Sequence, residues 1–289
     1  MPKPKLKIAA LACSYNRMAK TTSFLKSVSG QSISDSYTIK MYLLDDNSPD
    51  GTADYVETNF PEVTVIRGTG SLFWAGGMRT LWEEVIKKDD YDFFLLLNDD
   101  VILFDDALPR LLSAYSLAEK EGNILLGTVK DPDKDKVTYG GLKMKNSFTG
   151  FGVKQEPDAT KLKPCELGNA NIMLVDKFTV SKIGILSASY THGLADFDYT
   201  LAATKNGLHV WIAPGYYGYC KNDHGVSWLS QKTPLKKRID YLYSPKGLAY
   251  KEYMVYIRKN FPLMAPNAII KLWLKTLFPF IYTLMKSGK

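Results

Sequence analysis

Short apolar runs alternate with helix-like stretches through the first 129 residues, and this alternation restricts the fold more than any other feature of the chain. KIAALAC (7–13), TIKMYLLD (38–45), VTVIRG (63–68), DFFLLLN (92–98) and NILLGTV (123–129) have strand length and little polar interruption. Runs of that kind are buried on both faces, as strands of a parallel sheet covered by helices are. The stretches between them, 19–29, 51–60, 75–88 and 107–122, carry helical patterning and supply the crossovers that parallel strands require. With 289 residues, 45% of them hydrophobic, the chain is expected to form one large domain with an appendage.

The rhythm breaks at residues 130–165, where charge, glycine and proline rise and a hairpin or loop excursion is expected. A strand is expected again at GNANIMLVDK (168–177), a helix around 198–207 and a strand at HVWIAPG (209–215). The net charge of +7 is uneven: residues 232–289 hold 12 Lys and Arg against 2 Asp and Glu, a balance of +10 that leaves −3 for residues 1–231. No nucleic-acid recognition motif accompanies this basicity, so nucleic acid is not an expected partner. Cys13, Cys165 and Cys220 are odd in number and lack metal-ligand spacing, which points to a reduced, cytoplasmic setting without structural zinc. The basic start MPKPK precedes too short an apolar run for a cleaved signal peptide.

Within this frame, polar clusters follow the strands. Asn98, Asp99 and Asp100 end DFFLLLN. Carboxylates at a strand's carboxyl end face the crevice where open α/β sheets bind ligands, and hard oxygen donors there suit Mg²⁺ or Mn²⁺ carrying a diphosphate. The plainer alternative is that the pair turns the chain or caps the next helix. CSYNR (13–17) follows the first strand. Tyr15 is placed to stack a base, with Asn16 and Arg17 beside phosphates, although an Asn-Arg turn is also an ordinary helix entry. In LDDNSPDGT (44–52), Asp45 or Asp46 is a candidate acceptor for a base N–H or a ribose hydroxyl, whereas Asn47, Ser48 and Asp50 suit turns and caps. GTGSLFWAGGMR (68–79) offers Gly76 and Gly77 for close backbone approach to a donor and Arg79 for phosphate. It is neither a Walker loop nor a G-x-G-x-x-G fingerprint.

Taken in order and spacing, CSYNR, LDDNSPDGT, WAGGMR, LLNDDV, GNANIML, HGLADFDYTLAATKNG and DHGVS resemble the family-2 glycosyltransferases of GT-A fold, including their bacterial rhamnosyltransferase-like branch, over roughly residues 6–230. The resemblance implies an α/β, GT-A type nucleotide-sugar-binding fold: a mostly parallel central sheet flanked by helices, plus a C-terminal helical tail. It divides the chain into a glycosyltransferase domain, 1–231, with a nucleotide-binding half at 1–129 and an acceptor half at 130–231, and a tail at 232–289. It places Tyr15 and Asp46 at the base, Asp99 near the ribose or the metal shell, and Asp100 on the metal itself. Where the family often has D-x-D, this chain has Asn98 in the first position. That amide keeps a hydrogen bond but adds no charge, so a weaker metal site is expected.

The family's general base lies in an E-D or similar step at the start of a later helix, and Ala195-Asp196 occupies that step here. Asp196 is therefore expected to take the acceptor hydroxyl proton. His192, Asp198 and Asn169 are the candidates on the acceptor side, with Asp198 equally open to a capping role. His224 corresponds to a C-terminal histidine that some relatives use as a further metal ligand, although a lone histidine is more often only hydrogen-bonded. The tail segment PNAIIKLWLKTLFPFIYTLMKSGK carries Lys271 and Lys275 on one face and Pro279 inside it. This argues for a helix lying in the membrane interface, cations toward anionic lipid, with packing on the catalytic domain or in a homo-oligomer as the alternative.

The combined expectation is an inverting, metal-dependent transferase with Mn²⁺ or Mg²⁺, peripheral on the inner face of the cytoplasmic membrane. It moves one sugar from a UDP- or dTDP-linked donor to a surface-glycan or lipid-linked acceptor. Gln231 begins no Q-x-x-R-W motif, which disfavours processive synthesis. The alternatives are a sugar-1-phosphate nucleotidyltransferase, which would need a glycine-rich loop where CSYNRMAK has no glycine, and a non-catalytic sugar-nucleotide or glycan-binding scaffold.

Overall fold

The computed structural model describes residues 5–118, 120–146, 149–222 and 225–287. The first half runs β1 (Leu6–Ser14), α1 (Met18–Ser29), β2 (Tyr37–Asp45), α2 (Thr52–Asn59), β3 (Val63–Arg67), α3 (Phe73–Ile86), β4 (Phe93–Asn98), β5 (Ile102–Leu103), α4 (Ala107–Tyr115) and β6 (Asn123–Lys130). Short strands β7 (Val137–Tyr139), β8 (Gly141–Met144), β9 (Gly152–Lys154), β10 (Lys163–Pro164) and β11 (Leu167–Gly168) form the excursion. The core resumes with β12 (Ile172–Asp176), α5 (Lys177–Ile183), α6 (Ala195–Lys205) and β13 (His209–Tyr219). Helices α7 (Leu235–Tyr243), α8 (Tyr250–Asn260), α9 (Ala265–Leu277) and α10 (Phe280–Ser287) make up the tail.

The main sheet has the order β10-β13-β6-β12-β4-β1-β2-β3, with β5 and β7 paired onto β13 and β6. β4, β1, β2 and β3 are mutually parallel, and β6 and β13 run parallel to each other. β12 is antiparallel to both its neighbours, β4 and β6. The carboxyl ends of β1, β2, β3, β4, β6 and β13 therefore meet along one sheet edge, together with the beginning of β12. β8, β9 and β11 form a separate small sheet.

The uniform hydrophobicity of the strands follows from burial on both faces. Ala9, Leu11, Tyr42, Leu44, Phe94 and Leu96 belong to one core with α3 and α6, while Ile8, Ala10, Met41, Leu43, Phe93 and Leu95 belong to a second core with α1, α2 and α4. Met254, Tyr256, Ile257, Phe261, Ala268 and Leu272 enter the first of these cores, so the tail helices and the first 231 residues bury apolar surface together.

Several boundaries differ from expectation. The helix expected over 107–122 ends at Tyr115. The Asp176 carboxylate accepts hydrogen bonds from Tyr115 Oη and from the N–H groups of Gly122 and Asn123. That arrangement draws the chain out of the helix and into β6. The strand expected over 168–177 is split, because Asn169, Ala170 and Asn171 turn between β11 and β12. The helix expected from 198 already begins at Ala195, which places Asp196 in its first turn.

Candidate active site

The loops following the strands are tied to one another before any ligand arrives. Asn16 N–H donates to Ser48 Oγ at 2.8 Å, and Met18 N–H, in the first turn of α1, donates to Asp50 Oδ2 at 3.0 Å. Asp50 thus satisfies a helix start that lies 32 positions earlier in the chain. Asn16, Asn47, Phe73, Leu194 and Ala249 all have positive φ, from 45° to 68°. Such backbone is uncommon for residues with a Cβ, costs on the order of 1–3 kcal/mol each, and concentrates where function requires it.

Asp99 is 4% exposed. It accepts hydrogen bonds from Arg17 Nη1 at 3.0 Å and from Thr21 Oγ1 at 3.0 Å. Burial pushes its carboxyl up to about 6, with Arg17 opposing the shift and Asp100 adding to it. Asp100 is more open: Arg17 Nη1 is 3.3 Å from Oδ2, and the Cys220 thiol donates to Oδ1 at 3.5 Å. Arg17, expected beside a phosphate, therefore bridges the two carboxylates. Asn98 Oδ1 is buried without a hydrogen-bond partner among the described residues, next to the acid pair.

No group of three His, Cys, Asp or Glu side chains fit to hold a metal occurs among the described residues, and His224 lies outside them. The donor set nevertheless fits a divalent cation that arrives with its own oxygen ligands. Mg²⁺ commonly binds one or two carboxylates plus substrate phosphates and water. Asp100 would hold it, with the unpartnered Asn98 oxygen as a second polar group.

Asp46 is 4% exposed, and its carboxylate accepts N–H bonds from Gly70 at 2.8 Å, Leu72 at 2.8 Å and Phe73 at 3.1 Å. In this structure the Asp46 carboxylate, expected to be offered to a base, is taken up by the 68–73 loop. A Cβ on Gly68 would stand 2.7 Å from Asp46 Oδ1, and Gly70 has φ +91°. Those two glycines admit the carboxylate, whereas Gly76 and Gly77 belong to α3. Gly76 N–H donates to Thr191 O, and a Cβ on Gly77 would press on Cys13 Sγ and Leu44. At Gly77 this is close packing of α3 on β1 and β2. Arg79, expected to face phosphate, donates from Nη1 to the carbonyl oxygens of Ser187 and Tyr190 at 3.1 and 3.2 Å, tying α3 to the loop before α6. Tyr15, by contrast, is 43% exposed at the end of β1 and presents ring surface to the crevice.

On the opposite side, Asp196 accepts bonds from Phe197 N–H at 2.9 Å, Ala170 N–H at 3.3 Å and Asn169 Nδ2 at 3.5 Å. Burial raises its carboxyl above the ordinary aspartate value, with those hydrogen bonds pulling the other way. Asp198 is 2% exposed and holds Lys259 Nζ at 2.7 Å and Asn260 Nδ2 at 3.0 Å. It fastens α6 to α8, in keeping with the structural alternative to its place on the acceptor side. The His192 ring lies 6.1 Å from that of Phe73, so the loop before α6 meets the donor-side loop.

Sequence inspection did not single out Cys220, Asn171 or Thr21 as site residues. Asn171 Nδ2 reaches Cys220 Sγ at 3.8 Å, and that thiol reaches Asp100. These contacts join residues 49 and 120 positions apart, and no local pattern records them. A cavity of about 570 Å³ lies elsewhere, against Asn123, His209 and Trp211 at the amino ends of β6 and β13. It lies across the sheet from the acid pair.

The same architecture occurs in solved structures of S. aureus TarS. One TarS crystal structure matches with a TM-score of 0.55 at 15% identity, covering 75% of this chain, which spans 37% of the length of that TarS chain. A TarS 1-349 complex with UDP-GlcNAc matches with a TM-score of 0.55 at 16% identity over 94% of this chain and 82% of that one. A complex with UDP matches at 0.54 and 16% identity, over 74% and 60%. At such identities the likeness is one of fold. No curated protein matches the sequence. The model of glycosyl transferase family 2 matches residues 10–175, more than half of the chain, across β1 to β12 and every loop that builds the crevice up to Asn171. The chain belongs to glycosyl transferase family 2.

Proposed function

We propose that the protein is an inverting, divalent-metal-dependent glycosyltransferase that moves a single sugar from a nucleoside-diphosphate donor to a surface-glycan or lipid-linked acceptor. The observation that carries this reading is the tripeptide Asn169-Ala170-Asn171. Its first two residues hydrogen-bond Asp196, and its third reaches Cys220, whose thiol meets Asp100. One short turn thus stands between the metal candidate and the base candidate. Tyr15 stacks the base, and Arg17, paired with the acids, is near enough to answer phosphate charge. A divalent cation held by Asp100 neutralises charge on the diphosphate. Asp196 takes the proton of the acceptor hydroxyl as its oxygen attacks the anomeric carbon opposite the diphosphate, giving inversion. UDP and UDP-GlcNAc in the TarS complexes support a UDP-linked donor. Incubating the full chain with a panel of UDP- and dTDP-sugars, with Mn²⁺, Mg²⁺ or chelator, and measuring nucleoside diphosphate release tests the reading. No metal-dependent release from any donor would refute it.

The tail is part of the same proposal, as the element that holds the crevice at an anionic membrane. Ala268, Leu272 and Thr276 of α9 are buried, while Leu263, Ile270, Leu277, Phe278, Phe280 and Leu284 are exposed. No helix among the described residues is long and apolar enough to cross a membrane, so insertion would be interfacial. Lys275 is not one of the lipid-facing cations: it bonds Ser227 Oγ at 2.7 Å and lies near the rings of Trp228 and Tyr282. Lys271 remains exposed for that role. Flotation with anionic vesicles at low salt should carry the wild type, and Ile270→Ser/Leu277→Ser should reduce its recovery severalfold. Equal recovery would leave α9 as a packing element only.

A further inference from the structure

Residues 244–249, between α7 and α8, belong to the tail, yet they reach the donor side of the crevice. Lys246 Nζ lies 5.6 Å from the centre of the Tyr15 ring and 5.9 Å from that of Phe73. Tyr15 directly follows β1, and Phe73 is held by Asp46 through its N–H. A single ammonium from the tail therefore spans two loops of the nucleotide-binding half.

The segment that carries it is tightly folded. Gly247 N–H donates to Ser244 O at 2.9 Å, Leu248 N–H to Tyr241 O at 3.0 Å and Ala249 N–H to Ser244 O at 3.2 Å. A Cβ on Gly247 would collide with the Tyr241 carbonyl, and Ala249 has φ +45°. The exposed Lys246 side chain has ring faces for neighbours and no carboxylate partner among the described residues. Arg17, a second cation at this edge, is already engaged by Asp99 and Asp100. An exposed ammonium on aromatic faces is weakly held. Its flexible four-carbon stem permits transfer to a stronger anionic partner.

We propose that Lys246 is a ligand of the donor diphosphate, delivered to the crevice by the tail and resting on the Tyr15 and Phe73 rings until a nucleotide arrives. A base that stacks on Tyr15 displaces the ammonium from the ring face, and the diphosphate joined to that base offers it charged oxygens. The tail is then part of the donor site. This inference rests on the reading above that the crevice takes a nucleoside-diphosphate sugar.

The test uses full-length wild type, Lys246→Ala and Lys246→Arg. UDP and dTDP are titrated by calorimetry in the presence of Mn²⁺, and uridine and thymidine at millimolar concentration by ligand-observed NMR. Lys246→Ala should weaken binding of the diphosphate about tenfold, as loss of one charge-assisted contact does, and should leave the nucleoside signal and the melting temperature unchanged. Lys246→Arg should retain most of the affinity, and the deficit of the alanine variant should shrink as salt is raised. Equal diphosphate affinity in wild type and Lys246→Ala would overturn the assignment, as would a parallel loss of nucleoside binding, which would make Lys246 a prop for Tyr15. If wild type binds neither UDP nor dTDP, the donor reading itself fails and this inference with it.

Discussion

Two pairs of aspartates face the same problem in different parts of the molecule, and each pair divides its labour. At the end of β4, Asp99 is buried between Arg17 and Thr21, while Asp100 keeps an oxygen that meets only a thiol. In the first turn of α6, Asp198 is buried against Lys259 and Asn260, while Asp196 meets the backbone N–H groups of Phe197 and Ala170 and the Asn169 amide, at 2.9 to 3.5 Å. In both pairs the more deeply buried carboxylate holds a cation at 3.0 Å or less, and its neighbour is the one proposed for chemistry. A buried charge must be paired, and once paired it has little left to offer a ligand.

The largest expected effect separates Asp196 from Asp198. Asp196→Asn should fold and bind donor normally but lose transfer by about 10²–10⁴-fold, since the amide keeps the shape and cannot accept a proton. Single-turnover kinetics alongside donor titration measure both, and near-normal turnover would make Asp196 as structural as its neighbour. The pH profile sharpens the same point. Burial raises the Asp196 pKa, so its protonated, inactive form persists to higher pH than for an ordinary aspartate. The acidic limb of kcat/KM should therefore lie above about pH 3.9, with activity lost as pH falls through it, and this limb should vanish in residual Asp196→Asn activity.

Within the first pair, Asp100→Ala should remove the enhancement of nucleoside diphosphate affinity by Mn²⁺, an effect of about a hundredfold for loss of a ligand carboxylate. Titrations with Mn²⁺ and with chelator should then coincide. Undiminished stimulation would shift the metal assignment away from Asp100.

Asp198→Ala tests the structural member of the second pair. It strands Lys259 and removes the tie between α6 and α8, and should cost on the order of 2–3 kcal/mol, less than a fully buried pair because Lys259 is half in water. Urea unfolding reads that loss. Turnover per folded molecule should change little, and a loss as deep as that of Asp196→Asn would erase the contrast. The smallest effect belongs to Arg79→Met, which gives up two hydrogen bonds to the 187–190 carbonyls. A stability loss of about 1–2 kcal/mol is expected. Nucleotide affinity should be preserved, whereas a large fall would restore Arg79 to the phosphate site.

The sheet, its helices and the location of the crevice were legible in the residues themselves. Strands buried on both faces are apolar throughout, and polar clusters after each strand mark the carboxyl edge where ligands bind. Asp99 and Asp100 stood out for that reason. Gly76, Gly77 and Arg79 were ambiguous, because glycine and arginine near a helix start suit either phosphate binding or close packing. Only the neighbours, Cys13, Leu44 and the 187–190 carbonyls, distinguish the two. Asp46 was placed in the right loop, but its three N–H partners lie 24 to 27 positions away.

Sequence alone determined fold class, family resemblance and the candidate acids, because hydrophobic periodicity and the order of short motifs are local properties of a chain. Tertiary structure decided which acid of each pair is the more deeply buried, which glycines admit a carboxylate, and that Lys246 of the tail meets Tyr15. Burial and charge pairing depend on groups brought together over long separations, 61 positions for Asp198 and Lys259 and 120 for Asp100 and Cys220. Only the folded chain brings those groups within hydrogen-bonding reach of one another.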